Sequence, residues 1–214
     1  TSPLTERSPI NNHINCHGDG VKDISLTVSD AEKAWEDTTT KGAISVKKPE
    51  IIKDEYGEVI KATVKTFGDT THTFVERNNY HGAFMPGFQI YKPENLVAEP
   101  TGLIQIDHVV GNQPLGKMQE VCEFYENVFG WHRYWTVDDK DINTKYSALK
   151  SIVMANDNEI IKMPINEPAD GIKKSQIQEF IDYYKNAGVQ HIAMLTNDII
   201  QTVKKLKANG VEFL

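Results

Sequence analysis

Gly20-Val-Lys-Asp23-Ile-Ser-Leu-Thr-Val-Ser-Asp30 and Gly188-Val-Gln-His191-Ile-Ala-Met-Leu-Thr-Asn-Asp198 are two copies of one pattern. Glycine, valine, isoleucine and aspartate coincide at a single offset, which continues to Gly42-Ala43 and Gly210-Val211. Each copy reads as strand, N-cap aspartate, helix, C-cap glycine, strand. Asp30 and Asp198 can accept hydrogen bonds from the free N–H groups of a first helical turn. Gly42 and Gly210 can take the left-handed conformation that ends a helix. A third copy begins at Ile104-Gln-Ile-Asp-His108-Val-Val. Its helix is the clearest: Met118, Val121, Cys122, Tyr125, Val128 and Phe129 follow a helical period, and Gly130 stops it. Asp23, His108 and His191 thus occupy one equivalent position, about 84 residues apart each time.

More strands follow each strand–helix start. Val59 to Phe67 and Thr70 to Val75 read as a hairpin turned at Gly68-Asp69, and Tyr146 to Ala155 with Glu159 to Met163 as another, turned at Asn156-Asp157-Asn158. The module is therefore β-α-β-β-β, and Phe213-Leu214 falls in what reads as a further strand. The predicted fold class is α+β, with tandem βαβββ modules whose mixed sheets form half-barrels. Two halves meet in the proline-containing, aperiodic stretch Pro86 to Pro100. Each half is large enough to bury a core of its own.

Composition narrows the function. The formal charge of −7 and the absence of a basic stripe argue against nucleic-acid or anionic-membrane partners. No apolar run approaches the roughly 20 residues of a membrane span. Cys16 and Cys122 are the only cysteines. Being far apart, they make a poor disulfide framework or thiolate metal site, and the chain reads as cytoplasmic. Cys122 falls on the apolar helix face, which predicts a buried, inert thiol. The chain starts without Met, and we expect it to be a piece of a longer protein.

His108 and His191 fall mid-strand at matching points of related modules, so a half-barrel would bring both to its interior. Imidazole suits iron, zinc, copper and nickel, so two converging histidines point to a metal site, the alternative being two strand histidines that merely hydrogen-bond. Asp23, at the same point of the first module, reads as a charged edge residue. Iron(II) in a facial triad needs two histidines and one carboxylate. Asp107 should point to the face opposite His108 by strand alternation. Glu159 and Glu167 are loop carboxylates that nothing places. Ser151, Asn166 (just after a strand) and Gln176 (opening a helix) offer uncharged polar groups for a carboxylate or hydroxyl. From spacing alone, turn and capping chemistry explains that region better, with Ser175 and Gln178 forming a capping box. His13, His17, His72, His81 and His132 show no partner spacing.

Several segments together are specific. Ile106-Asp-His108-Val-Val-Gly-Asn-Gln-Pro114, Tyr146-Ser-Ala-Leu-Lys-Ser151-Ile-Val153, Lys162-Met-Pro-Ile-Asn166-Glu-Pro168, Ser175-Gln-Ile-Gln-Glu179 and Gly188-Val-Gln-His191-Ile-Ala193 closely resemble the 4-hydroxyphenylpyruvate dioxygenase family of the vicinal oxygen chelate superfamily. So do His17-Gly-Asp-Gly-Val-Lys-Asp23 and Gly68-Asp-Thr-Thr-His-Thr73. The resemblance implies four βαβββ modules in the complete protein. Residues 1–100 would be a structural module of the N-terminal domain. Residues 101–214 would start the catalytic domain, with one complete module and part of another. It implies Fe(2+) held by His108, His191 and a glutamate beyond Leu214. It also makes Ser151, Asn166, Gln176 and Gln190 substrate-pocket positions. The implied reaction converts 4-hydroxyphenylpyruvate and O2 to homogentisate and CO2 in tyrosine and phenylalanine catabolism, in a homodimer. The rivals are 4-hydroxymandelate synthase, which uses the same iron site on the substrate's side chain, and a non-enzymatic small-molecule binder of the same superfamily.

Overall fold

The expected repeat appears as two sheets of the same strand order. The computed structural model describes residues 2–90, 100–137, 148–169, 171 and 173–213. The first sheet contains β1 (Asp23–Thr27), β2 (Ser45–Asp54), β3 (Gly57–Lys65) and β4 (Thr71–Glu76), ordered β1-β4-β3-β2. The second contains β5 (Leu103–Asn112), β6 (His132–Val137), β7 (Ala148–Ala155), β8 (Lys162–Ala169) and β9 (Gly188–Thr196), ordered β6-β7-β8-β5-β9. In each, the first strand of the module lies parallel to the last, while the intervening hairpins are antiparallel. β9, which opens the next copy of the repeat, adds antiparallel to β5. This mixed-sheet α+β architecture is the predicted fold class.

The helix boundaries follow their caps. Asp30 Oδ1 accepts from Lys33 N at 2.8 Å and starts α2 (Ala31–Thr40). Asp198 Oδ1 accepts from Gln201 N at 3.0 Å and starts α5 (Ile199–Ala208). Ser175 Oγ accepts from Gln178 N at 3.1 Å and starts α4 (Gln176–Tyr184). α3 (Met118–Phe124) widens into a π turn over Tyr125–Phe129 before the left-handed Gly130 stops it. That turn directs Tyr125 into the core, where Trp131 stacks on its ring at 4.9 Å between centroids.

Three local expectations need correction. Residues 9–17, for which the sequence reading assigns no element, form α1 (Pro9–His17): Ser8 caps it and Pro9 presets its first turn. Asn166 lies inside β8 rather than after a strand, opposite Ser151 on β7 and Asn112 on β5. Pro164 is tolerated there because the β5–β8 register is defined at Lys162 and Ile165 but not at the proline, which has no N–H to give. Residues 211–213 take no strand, since no described strand pairs with them. Tyr146, Leu214 and most of the expected boundary at 86–100 lie outside the described residues.

The two halves share one core. Leu26, Val64, Phe67 and Phe74 from the first pack with Tyr125, Met154, Met163 and Ile165 from the second. Gly111 on β5 makes close docking possible, because a Cβ there would meet the Phe67 ring at 2.6 Å. A buried polar relay also crosses the seam. Nδ1 of His72 lies 2.9 Å from the Ile24 carbonyl, so it carries the proton and donates. Tyr125 Oη then donates to His72 Nε2 at 2.8 Å and accepts from Thr66 Oγ1 at 2.8 Å. Burial lowers the His72 pKa and raises that of Tyr125, so both stay neutral. Tyr125→Phe leaves His72 Nε2 buried without a donor. The expected loss is about 1–3 kcal/mol of stability, read as a lower urea midpoint at constant slope. An unchanged midpoint would mean the relay contributes nothing net.

Candidate metal centre

Alternation along three neighbouring strands builds one face of the second sheet. His108 and Val110 on β5, Leu149, Ser151 and Val153 on β7, and Lys162, Pro164 and Asn166 on β8 all point the same way. Together with Tyr134, Trp135 and His191 they line a cavity of about 330 Å³. The intervening residues Val109, Ile152, Met154, Met163 and Ile165 face the opposite side and fill the core. One sheet thus separates a packed face from an open one.

His108 pairs with Ala193, and Val110 with His191, across the β5–β9 ladder. The two imidazoles therefore sit diagonally, with ring centroids 5.9 Å apart and planes at 73°. Their tautomers are set by their neighbours. His108 Nδ1 lies 2.7 Å from Asp107 Oδ2, and His191 Nδ1 lies 2.9 Å from Gln190 Oε1. Both partners accept, so both Nδ1 atoms carry protons and both Nε2 lone pairs are free for a metal. Partial desolvation at the cavity and the nearby His108 lower the His191 pKa, which favours the neutral ring that ligation requires. Hydrogen bonding from His108 holds the Asp107 carboxyl below its usual range despite partial burial, with Lys162 adding to the effect.

Asp107 is where simple alternation fails. The β5–β9 register shifts between Ile106 and His108, a bulge that turns the Asp107 carboxylate back toward the His108 ring. It orients a histidine instead of facing away. Glu167 lies within β8 rather than on a loop and is committed elsewhere: its Oε2 accepts from Gly116 N at 2.9 Å and Met118 N at 3.2 Å, capping α3, whose own N-cap residue offers no side-chain bond. Glu159 meets His132 at 3.3 Å on the turn before β8. Neither lines the cavity. Asp23 accepts from the hydroxyls of Ser25, Thr71 and Thr73 at 2.6–2.8 Å on the first sheet.

Ser151 and Asn166 are cross-strand partners on the cavity wall, each 8% exposed. Asn166 Oδ1 is buried with no hydrogen-bond partner, an open demand that a bound molecule would meet. Gln190 is reached through its bond to His191. Gln176 is exposed at the first turn of α4 and is not among the cavity-lining residues. Cys122 is fully buried and its thiol is pushed up to about 11, mainly by burial.

A second cluster escaped the sequence reading. His13 and His17 are four residues apart, which α1 turns into neighbours on one helix face. With Asp69 they form a group whose ligand atoms all lie within 4.8 Å of one another. The signal was available as His-x-x-x-His behind a Ser-Pro helix start, once that helix is recognised.

Residues 105–214 match the Glyoxalase/Bleomycin resistance protein/Dioxygenase superfamily. Over 212 residues the chain is 52% identical to a 4-hydroxyphenylpyruvate dioxygenase of Aspergillus fumigatus, covering 96% of this chain and 52% of that protein. Over 220 residues it is 51% identical to one of Dictyostelium discoideum, covering 100% of this chain and 60% of that protein. The chain spans about half the length of the curated relatives it matches. A solved variant of 4-hydroxymandelate synthase from Streptomyces coelicolor superposes with a TM-score of 0.82 at 26% identity, covering 99% of this chain and 59% of that one.

Proposed function

The chain belongs to the Glyoxalase/Bleomycin resistance protein/Dioxygenase superfamily, and from that premise we propose that it is part of an iron(II)-dependent 4-hydroxyphenylpyruvate dioxygenase. The reaction would convert 4-hydroxyphenylpyruvate and O2 to homogentisate and CO2, a step of tyrosine and phenylalanine catabolism, in a cytoplasmic homodimer. One observation carries this reading: two histidines from β5 and β9 present free Nε2 lone pairs to one cavity, each with its Nδ1–H anchored. Residues 1–100 would be the structural module and 101–214 the start of the catalytic domain.

The donor set fits iron(II). Two neutral imidazoles bind it without filling its coordination sphere, and a glutamate beyond Leu214 would complete the facial triad. Bound there, iron would supply adjacent positions at which a 2-oxo acid and dioxygen meet. The chain's own residues do the rest. Asp107 and Gln190 hold the two rings in the ligating tautomer. Val110, Val153, Pro164 and Trp135 give the aromatic ring an apolar wall that displaces water. Ser151 and Asn166, whose Oδ1 has no hydrogen-bond partner within the chain, take the substrate's polar end and fix its orientation. Gln176, a pocket position by resemblance, stands exposed at the opening of α4 and off this cavity wall, and would act from the rim.

The structural likeness to 4-hydroxymandelate synthase favours a second reading, in which the same pocket directs oxidation to the side chain. Product analysis of the complete protein separates them, since homogentisate and 4-hydroxymandelate are distinct. Asn166→Ala or Gln176→Ala in the complete protein should lower turnover by roughly tenfold or more while leaving iron content unchanged, as expected for loss of positioning. Iron loss with unaltered substrate affinity would contradict the assigned roles.

A further inference from the structure

We propose that His13, His17 and Asp69 form a second, structural site for a zinc-class divalent cation, separate from the His108–His191 cavity. His17 Nε2 lies 3.2 Å from Asp69 Oδ2, and His13 Nδ1 lies 3.1 Å from the same oxygen. Ligands about 2.0–2.2 Å from a tetrahedral ion stand roughly 3.3–3.5 Å from one another, so the two histidine–carboxylate spacings need only slight expansion, and the whole group lies within 4.8 Å.

The protons point the same way. His17 Nδ1 lies 2.5 Å from the Tyr184 carbonyl, which only accepts, so that nitrogen is the donor. In neutral His17, Nε2 is then a lone pair facing a carboxylate oxygen. A cation between them, or a second proton on the ring, resolves that contact. His13 is less constrained: its other nitrogen, Nε2, lies 3.4 Å from Tyr184 Oη, a hydroxyl that can donate or accept, so Nδ1 can carry a proton for Asp69 or a lone pair for a metal. One residue thus orients both histidines, as outer partners of metal-bound imidazoles do. Asp69 Oδ1 is buried with no hydrogen-bond partner, leaving one carboxylate oxygen unspent.

The surroundings are built for close approach. His13 and His17 side chains are only 9% and 6% exposed. A Cβ at Gly20 would meet the Tyr184 ring at 3.0 Å. Gly68, at φ 57°, lets the Asp69 turn sit where a Cβ would meet the Ala187 carbonyl oxygen at 2.3 Å. A cavity bordered by His13, Asp19 and Lys22 provides an entry path. Lys22 is the competing cation: its ammonium contacts the Asp69 carbonyl and lies 3.5 Å from Oδ2. It is half exposed on a flexible stem and can leave, vacating the fourth position for water. An ion here joins α1, the β3–β4 turn and the end of α4, tying the N-terminal helix to the second half of the molecule.

The test uses the full chain carrying His108→Ala and His191→Ala, which removes the other histidine pair. Zn2+ binding is followed by calorimetry, Co2+ binding by visible absorption, and thermal unfolding with and without Zn2+. One equivalent should bind, Co2+ should give tetrahedral-type bands, and the unfolding midpoint should rise with Zn2+. Adding Asp69→Asn or, on the helix alone, His13→Ala should weaken binding by more than about a hundredfold, beyond the usual outer-partner effect. No binding by the His108→Ala/His191→Ala protein would overturn the proposal. So would binding that survives both added substitutions. Because the catalytic pair is absent from every sample, none of these outcomes depends on the proposed dioxygenase activity.

Discussion

His191→Ala in the complete protein is expected to abolish homogentisate formation, with turnover falling by at least about a thousandfold. Changes to residues that merely orient a metal ligand commonly cost 10–100-fold, and removing a ligand outright should cost more. The substitution also leaves Gln190 Oε1 without the proton it accepts, so the local geometry loses its anchor. The fold should survive, because His191 is exposed on the open face and contributes nothing to the buried core. Unchanged thermal stability of the iron-free protein together with lost activity and lost iron is therefore the expected pattern. Activity retained within tenfold would remove His191 from the metal centre.

A polypeptide of residues 1–214 should form no homogentisate and should hold iron(II) only weakly. Its cavity offers two neutral imidazoles, while the carboxylates the chain contains nearby have other tasks. Asp107 is bonded to the His108 ring, Glu167 caps α3, and Glu159 lies on a turn away from the cavity. Without a ligating carboxylate, part of the metal's positive charge stays unbalanced and the facial geometry is not fixed. Anaerobic iron(II) titration followed by oxygen and 4-hydroxyphenylpyruvate checks this. Homogentisate at a rate comparable to the complete protein would show that a carboxylate within these residues serves, with Asp107 the nearest at hand.

The part of the site that lies on the repeat was legible from sequence, because the repeat is a physical register. Gly20–Asp30, the segment around His108 and Gly188–Asp198 share strand and cap positions. β9 opens the next copy of the repeat and pairs with β5 in the same sheet, which brings His108 and His191 together through pairing alone. What escaped depends on departures from regularity. The bulge beside His108 reverses the side of Asp107, and no period-2 reading can place a carboxylate across a register shift. Pro164 reads as the end of a strand, yet the β5–β8 ladder asks no N–H of it, so Asn166 stays on the wall. α1 carries few apolar residues and shows itself mainly by Ser8 and Pro9, so the partnership of His13 and His17 with a turn 52 or more residues away was hidden. Tertiary contact made that cluster, and spacing along the chain could reveal only its His-x-x-x-His half.

The central claim is that His108 and His191 hold one iron ion at the cavity of the second sheet. Crystals of the complete protein grown under argon with iron(II), measured on both sides of the iron absorption edge, test it most directly. The predicted result is an anomalous peak about 2.1 Å from Nε2 of both His108 and His191, with Nδ1 of each still bonded to Asp107 and Gln190. A peak confined to His13, His17 and Asp69, or no peak within ligand distance of the His108 and His191 rings, would contradict it.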